Sequence, residues 1–168
     1  MESSAAAARI AVIGVGNAYR HDDGVGWAVV ACLAQRTKQR PLPHGIRFTC
    51  TDGDPTRLIS AWEDARLAIV VDAARARPAR PGRVQRLRLG GDMPQTPCGG
   101  TSSHGFALDD TVRLAHALGR LPGELLVYVV EAADLSLGTG LSPQVAASVG
   151  PLVQRIEEDI LYCAPAGQ

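Results

Sequence analysis

Three polar positions, far apart along the chain, carry side chains suited to sharing one metal ion or one reactive water. They are an acid of the pair Asp22-Asp23, the acid Asp72, and the imidazole of His104. Two carboxylates and an imidazole form a donor set for a divalent ion such as Ni, Zn, Mn or Fe. A carboxylate beside a polarised water is also equipment for general-base or metal-assisted hydrolysis. Each residue has a plainer use as well. An Asp pair ahead of a helix caps it and complements its dipole, Asp72 could accept hydrogen bonds from loop amides, and a lone His is more often structural than a ligand. The set favours the chemical reading because each member stands where a strand has ended or a helix begins.

The elements that must position these residues are legible in the apolar pattern. Ile10 to Ile13 is a short β-branched run ending at Gly14, and Leu67 to Val71 is apolar without alternation and ends at Asp72. Both read as strands buried on two faces. Ile46 to Cys50 and Leu125 to Val130 read as further strands, and the charged stretch Arg83 to Leu89 suits a sheet edge. Helices are expected between them. One follows Asp22-Asp23 with Val25, Val29, Cys32 and Leu33 on its apolar face and stops before Pro41. Others span Thr56 to Asp64 and Ser103 or His104 to Gly119, and the last starts after Ser142 with Pro143 in its first turn. Pro151 predicts a kink or break in that last helix.

Strands alternating with helices predict an α/β fold. The expectation is a three-layer α/β/α sandwich with a twisted, mostly parallel sheet and one antiparallel edge strand. Residues 1–168 read as a single domain, with 1–8 and 164–168 frayed, and the Gly/Pro/Ser-rich loops at 90–103 and 134–141 are candidates for function. In such a sheet, sites gather beyond the carboxyl ends of the strands, where Asp23, Asp72 and His104 would all emerge.

Composition narrows the classes. Lys+Arg and Asp+Glu both number 17, so the formal net charge is zero, which argues against a nucleic-acid partner held by a broad positive field. No apolar run approaches the roughly 20 residues of a membrane span, and Met1 to Ala8 lacks the basic start of a secretory signal. The four cysteines form no CxxC, and Cys32 and Cys50 read as buried, so a disulfide framework or zinc site is not expected and a cytoplasmic location fits. Gly14-Val15-Gly16 follows a strand, but Tyr19 occupies the place of the third glycine of a dinucleotide loop and acids stand at the helix start. A nucleotide cofactor is therefore not expected. His21, His44 and His116 read as surface residues without convergent partners, and Cys98 lacks an activating base nearby in sequence.

Gly14-Val15-Gly16-Asn17 followed by Asp22-Asp23-Gly24-Val25-Gly26 resembles the opening signature of the hydrogenase maturation proteases. The likeness continues through Ile69-Val70-Val71-Asp72-Ala73, Pro81-Gly82, Ser103-His104-Gly105, Glu131 and Gly140-Leu141-Ser142. The resemblance implies a twisted sheet between helices and an endopeptidase, aspartic-type or metal-assisted. Its implied task is to remove the C-terminal extension of a nickel-loaded [NiFe] hydrogenase large-subunit precursor. It also implies Asp23, Asp72 and His104 as metal-contacting and catalytic residues, engaging nickel that belongs to the precursor and is bound transiently. The first of these is Glu in some members and the shorter Asp here. Asp52-Gly53 resembles a second family motif lining the substrate cleft, which makes Asp52 a further candidate catalytic residue. Many members continue that motif with Gly-Thr, where this chain has Asp54-Pro55. Two alternatives stand beside it: a peptidyl-tRNA hydrolase-like esterase, disfavoured by the zero net charge and the acidic Asp22-Asp23 where such enzymes carry a basic face, and a non-enzymatic nickel chaperone, disfavoured by four dispersed His.

Overall fold

The computed structural model describes residues 9–43, 45–90 and 103–163. Five strands run β1 (Ile10–Val15), β2 (Ile46–Thr51), β3 (Leu67–Ala74), β4 (Val84–Gly90) and β5 (Glu124–Glu131). Between and after them come helices α1 (Val25–Thr37), α2 (Pro55–Trp62), α3 (Ser103–Ala117) and α4 (Pro143–Cys163). The sheet order is β2-β1-β3-β5-β4. All pairs are parallel except β4 with β5, so the charged edge strand is the antiparallel one, as its sequence predicts.

Alternation along the strands divides the core into two. Ile10, Val12, Ile69, Val71, Leu126 and Tyr128 pack under α1 and α4, against Val29, Leu33, Val153 and Ile156. Ala11, Ile13, Ala68, Val70, Leu125 and Val127 pack under α2 and α3, against Leu58, Trp62, Val112 and Ala115. The central strands β1 and β3 are buried at every position, which is why they read as unbroken apolar runs. Arginines tie the outer layer together: Arg36 of α1 forks onto Glu157 of α4 at 2.7 and 3.1 Å, and Arg86 of β4 reaches Asp159 at 2.9 Å.

Four expectations are corrected. β3 does not stop at Asp72 but runs to Ala74, because its ladder with β5 continues to Ala74↔Glu131. Asp22 and Asp23 do not cap α1. They lie in a separate 3-10 turn, His21–Gly24, and give the helix no side-chain cap. Cys50 is exposed rather than buried, because β2 is the outer strand of the sheet and nothing described covers its free edge. Pro151 does not break α4, which is continuous over 21 residues. The ring deprives the Ala147 carbonyl of its donor, but Ala147 and Pro151 both face solvent, so water can satisfy that carbonyl.

Candidate functional site at the carboxyl end of the sheet

The site is assembled where β1, β3 and β5 finish. After β1 the chain turns through Gly16, whose φ of +142° is open only to glycine at low cost. A Cβ on Gly16 would lie 1.9 Å from the Asp23 carbonyl oxygen. Gly26 fills the same role one turn later, since a Cβ there would lie 2.4 Å from the Val71 carbonyl oxygen. These two glycines let the 3-10 turn and the start of α1 press onto the ends of β1 and β3. Asp23 is thereby placed near Asp72.

The two neighbouring acids have opposite surroundings. Asp22 is fully buried and fully employed. Its carboxylate accepts from the amides of Ala133 (2.9 Å), Asp134 (2.9 Å) and Ser142 (2.7 Å), and from the Ser142 hydroxyl at 2.7 Å. Burial alone would raise its pKa, but the donors outweigh burial and hold it below the usual carboxylate range. Asp22 therefore staples the segment 132–142 to the turn. His21 completes the staple: its amide donates to the Gly138 carbonyl (2.9 Å) and its Nδ1 to the Gly140 carbonyl (3.0 Å). The partners of His21 are main-chain carbonyls 117 and 119 residues away, which no spacing rule reveals.

Asp23 is also buried, at 4% exposure, but its Oδ1 has no hydrogen-bond partner. Asp72 is 7% exposed, and its Oδ1 accepts from the Ala73 amide at 2.8 Å. Burial pushes the Asp72 carboxyl up to about 7, the Ala73 amide opposes that rise, and the charge of Asp23 adds to it. The two acids are thus close enough to feel one another in a dry environment. A buried carboxyl titrating near neutrality can take and return a proton under working conditions.

His104 is the second residue of α3. That helix ends at Ala117 ahead of the amino end of β5, so its first turn lies at the opposite end of the sheet, where β3 and β5 finish. It belongs to the α2/α3 layer, the side to which Asp72 belongs by alternation with Ala68 and Val70. The backbone thus carries His104 to the same end and layer as Asp72, while its side chain lies outside the described residues, as do His44 and Cys98. His116 is exposed on α3.

Asp52 follows β2 at the same end of the sheet. It sits exposed in the turn after β2, where its Oδ2 accepts from Arg57 at 2.9 Å and its Oδ1 from the Asp54 amide at 3.2 Å. The Asp54 amide, with Arg57 adding, holds its carboxyl below the usual range. It lines a cavity of about 590 Å3 beside β2.

One residue of the site has no role in the sequence analysis. Glu131 ends β5 at 3% exposure, and its Oε2 has no hydrogen-bond partner. It shares the alternation phase of Leu125, Val127 and Val129 and so belongs to the same side of the sheet as Asp72. The signal available in sequence was an acid closing an otherwise apolar strand, the feature that singles out Asp72.

Buried carboxylate oxygens that no hydrogen-bond donor reaches are open to a cation, and Asp23 and Glu131 supply them at one end of the sheet. Among the described residues no cluster of three or more ligating side chains is already assembled. The described part of the site is the acid pair Asp23 and Asp72, with Glu131 buried at the same end of the sheet.

The model of the hydrogenase maturation protease family, described as HycI, matches residues 30–159. The hydrogenase 2 maturation protease of Escherichia coli K12 is 26% identical over 148 residues, covering 88% of both chains. The structure of the hydrogenase maturating endopeptidase HybD from E. coli superposes with a TM-score of 0.73 at 25% identity, covering 92% of this chain and 93% of that one. The [NiFe] hydrogenase maturation protease HybD from Thermococcus kodakarensis shares the fold, with a TM-score of 0.70 at 22% identity, over 90% and 99% of the two chains.

Proposed function

The chain belongs to the hydrogenase maturation protease family, and we propose that it is the endopeptidase that removes the C-terminal extension of a nickel-loaded [NiFe] hydrogenase large-subunit precursor. The observation supporting this use of the site is the buried pair Asp23 and Asp72, one oxygen of which has no partner while the other carboxyl is pushed to about 7. Paired acids without a counter-charge are unfavourable unless a cation or a proton joins them. The nickel of the precursor would be that cation.

In this reading Asp23, Asp72 and His104 contact the substrate's nickel. Three borderline-to-hard donors with open positions bind such an ion weakly enough to share it with a thiolate-rich precursor. Cleavage is then gated by metal, because without it the acid pair has no reason to engage the substrate. A carboxylate of the site that is not holding the ion would take the proton from the attacking water. No helix of the described residues is long and apolar enough to cross a membrane. We place the reaction in the cytoplasm, a reading supported by the free thiols of Cys32, Cys50 and Cys163.

The test is the mass of a co-expressed large subunit from a matched hydrogenase. Loss of a C-terminal peptide should require both nickel and this chain. The His104→Ala variant should remain folded and leave the precursor uncut. Cleavage that proceeds equally without nickel, or at full rate in His104→Ala, refutes the nickel-reading site.

A further inference from the structure

The outer edge of β2 is unpaired among the described strands. β2 pairs with β1 on one side only. Along its other side runs the cavity of about 590 Å3, lined by Thr49, Cys50 and Thr51 of β2, Trp27 of α1, and Thr56 and Ser60 of α2. Consecutive residues of a strand point to opposite faces, so a hollow that touches three in a row must lie along the edge. Its walls confirm this placement: α1 packs on one face of the sheet and α2 on the other. The groove is an open strand position with a helix standing on either side.

The main-chain groups facing that position can be identified. The Gly16 amide donates to the Thr51 carbonyl at 2.9 Å, extending the parallel ladder beyond Val15↔Thr51. The carbonyl and amide of Thr51 therefore face β1, and so do those of Thr49. By alternation, Phe48 and Cys50 turn theirs outward. No described strand pairs with them. The lining adds hydroxyls, the Asp52–Arg57 pair and one indole, whose Nε1 already donates to the Thr51 carbonyl at 3.2 Å.

We propose that an extended segment of the precursor docks here as an added strand, hydrogen-bonded to the outward groups of Phe48 and Cys50. This inference rests on the proposed protease function and names how the substrate chain is held. Two features commit the groove to that occupant rather than to a small molecule. Its recognition elements are main-chain groups spaced for a strand, and it opens at the Thr51–Asp52 turn, the end of the sheet where Asp23 and Asp72 lie. Strands are spaced about 4.8 Å apart, so from the added position to the β1–β3 junction is about 10–14 Å, or three to four extended residues. The docked segment therefore sits about that far along the precursor from the bond that is cut. Asp52, paired with Arg57 at the mouth, lines the path rather than the reaction centre.

The proposal is tested on the full chain with nickel-loaded precursor. Cys50→Pro deletes the outward amide and leaves the β1 ladder intact, since proline is tolerated on the free side of an edge strand; Cys50→Ala keeps the amide. Cys50→Pro should raise KM about tenfold or more over that of Cys50→Ala, with kcat of the two within about twofold. Independently of that variant's folding, amide exchange is followed in the Asp72→Asn protein bound to precursor, where the Phe48 and Cys50 amides should slow about tenfold or more. An unchanged KM in folded Cys50→Pro, or unprotected Phe48 and Cys50 amides in a complex shown to have formed, overturns strand addition while leaving the protease reading intact. Precursor that is never cut, yet protects these amides, overturns the protease reading and supports the docking surface.

Discussion

Replacing Asp72 by Asn should stabilise the metal-free protein, and by an amount that depends on pH. The carboxyl is 7% exposed, and burial, with the Asp23 charge adding, lifts its pKa from 3.8 to about 7. A raised carboxylate pKa means that the folded state holds a proton that the unfolded state has lost. Stability therefore falls as pH rises from about 4 to about 7 and is level above that. At about 1.4 kcal/mol per pH unit, the gap amounts to about 4 kcal/mol, an upper figure for a site that relaxes or admits water. Asn keeps the oxygen that accepts from the Ala73 amide and carries no charge to desolvate. The variant and the parent should thus unfold alike near pH 4 and diverge to a few kcal/mol by pH 8. Urea titrations in chelator, followed by the fluorescence of the fully buried Trp62, measure this directly. A difference that does not change with pH, or an Asn variant less stable than the parent at pH 8, would show that Asp72 is not a desolvated acid, and the account of the site would fail with it.

Two further outcomes follow from the same contacts. Asp22→Asn replaces an acceptor of four hydrogen bonds with a group that can accept at one atom only, so it should cost about 2–4 kcal/mol. Limited proteolysis should then cut first within 132–142, whereas unaltered protection of that segment would refute the staple. Pro151→Ala restores a donor for the exposed Ala147 carbonyl within α4 and should raise stability by about 1–2 kcal/mol in thermal unfolding; a loss would mean that the proline is tuned to its site.

The sheet and its order of layers were legible because the signals are local. Continuous apolar runs at Ile10–Ile13 and Leu67–Val71 can only be strands buried twice over, and the charged run from Arg83 could only be an edge. The boundaries were less legible, since β3 and β5 extend one another by pairing, a non-local effect that carries β3 past Asp72 to Ala74. Cys50 was misjudged for a related reason. Its run resembles the others, and only the order of strands reveals that β2 has a free side. At the site, Asp23 and Asp72 were found because acids at the ends of apolar segments are anomalous. Glu131 shows the same anomaly and was passed over as part of a motif. The bonds of Asp22 and His21 to residues more than 110 positions away had no local signature at all.

The fates of Asp22 and Asp23 explain why two acids stand together where a helix cap needs only one. In a 3-10 turn, successive side chains point about 120° apart, so neighbours cannot share an environment. Asp22 turns toward the segment 132–142, and its four donors fix that segment against the turn. Asp23 then has no freedom to swing toward solvent, because its own backbone is clamped between Gly16 and the start of α1. Its carboxylate is held buried, with one oxygen unpartnered, close enough to Asp72 to raise that acid's pKa. Two like charges are not brought together in a dry place by their own interaction; the force comes from hydrogen bonds made by the residue next door. The staple stores the repulsion that a guest cation relieves, so loosening it should weaken metal binding without touching a ligand. Asp22→Asn should therefore bind nickel more weakly than the parent in calorimetry, by roughly tenfold per 1.4 kcal/mol of repulsion released; unchanged affinity in a folded variant would mean that Asp23 is held by something other than its neighbour.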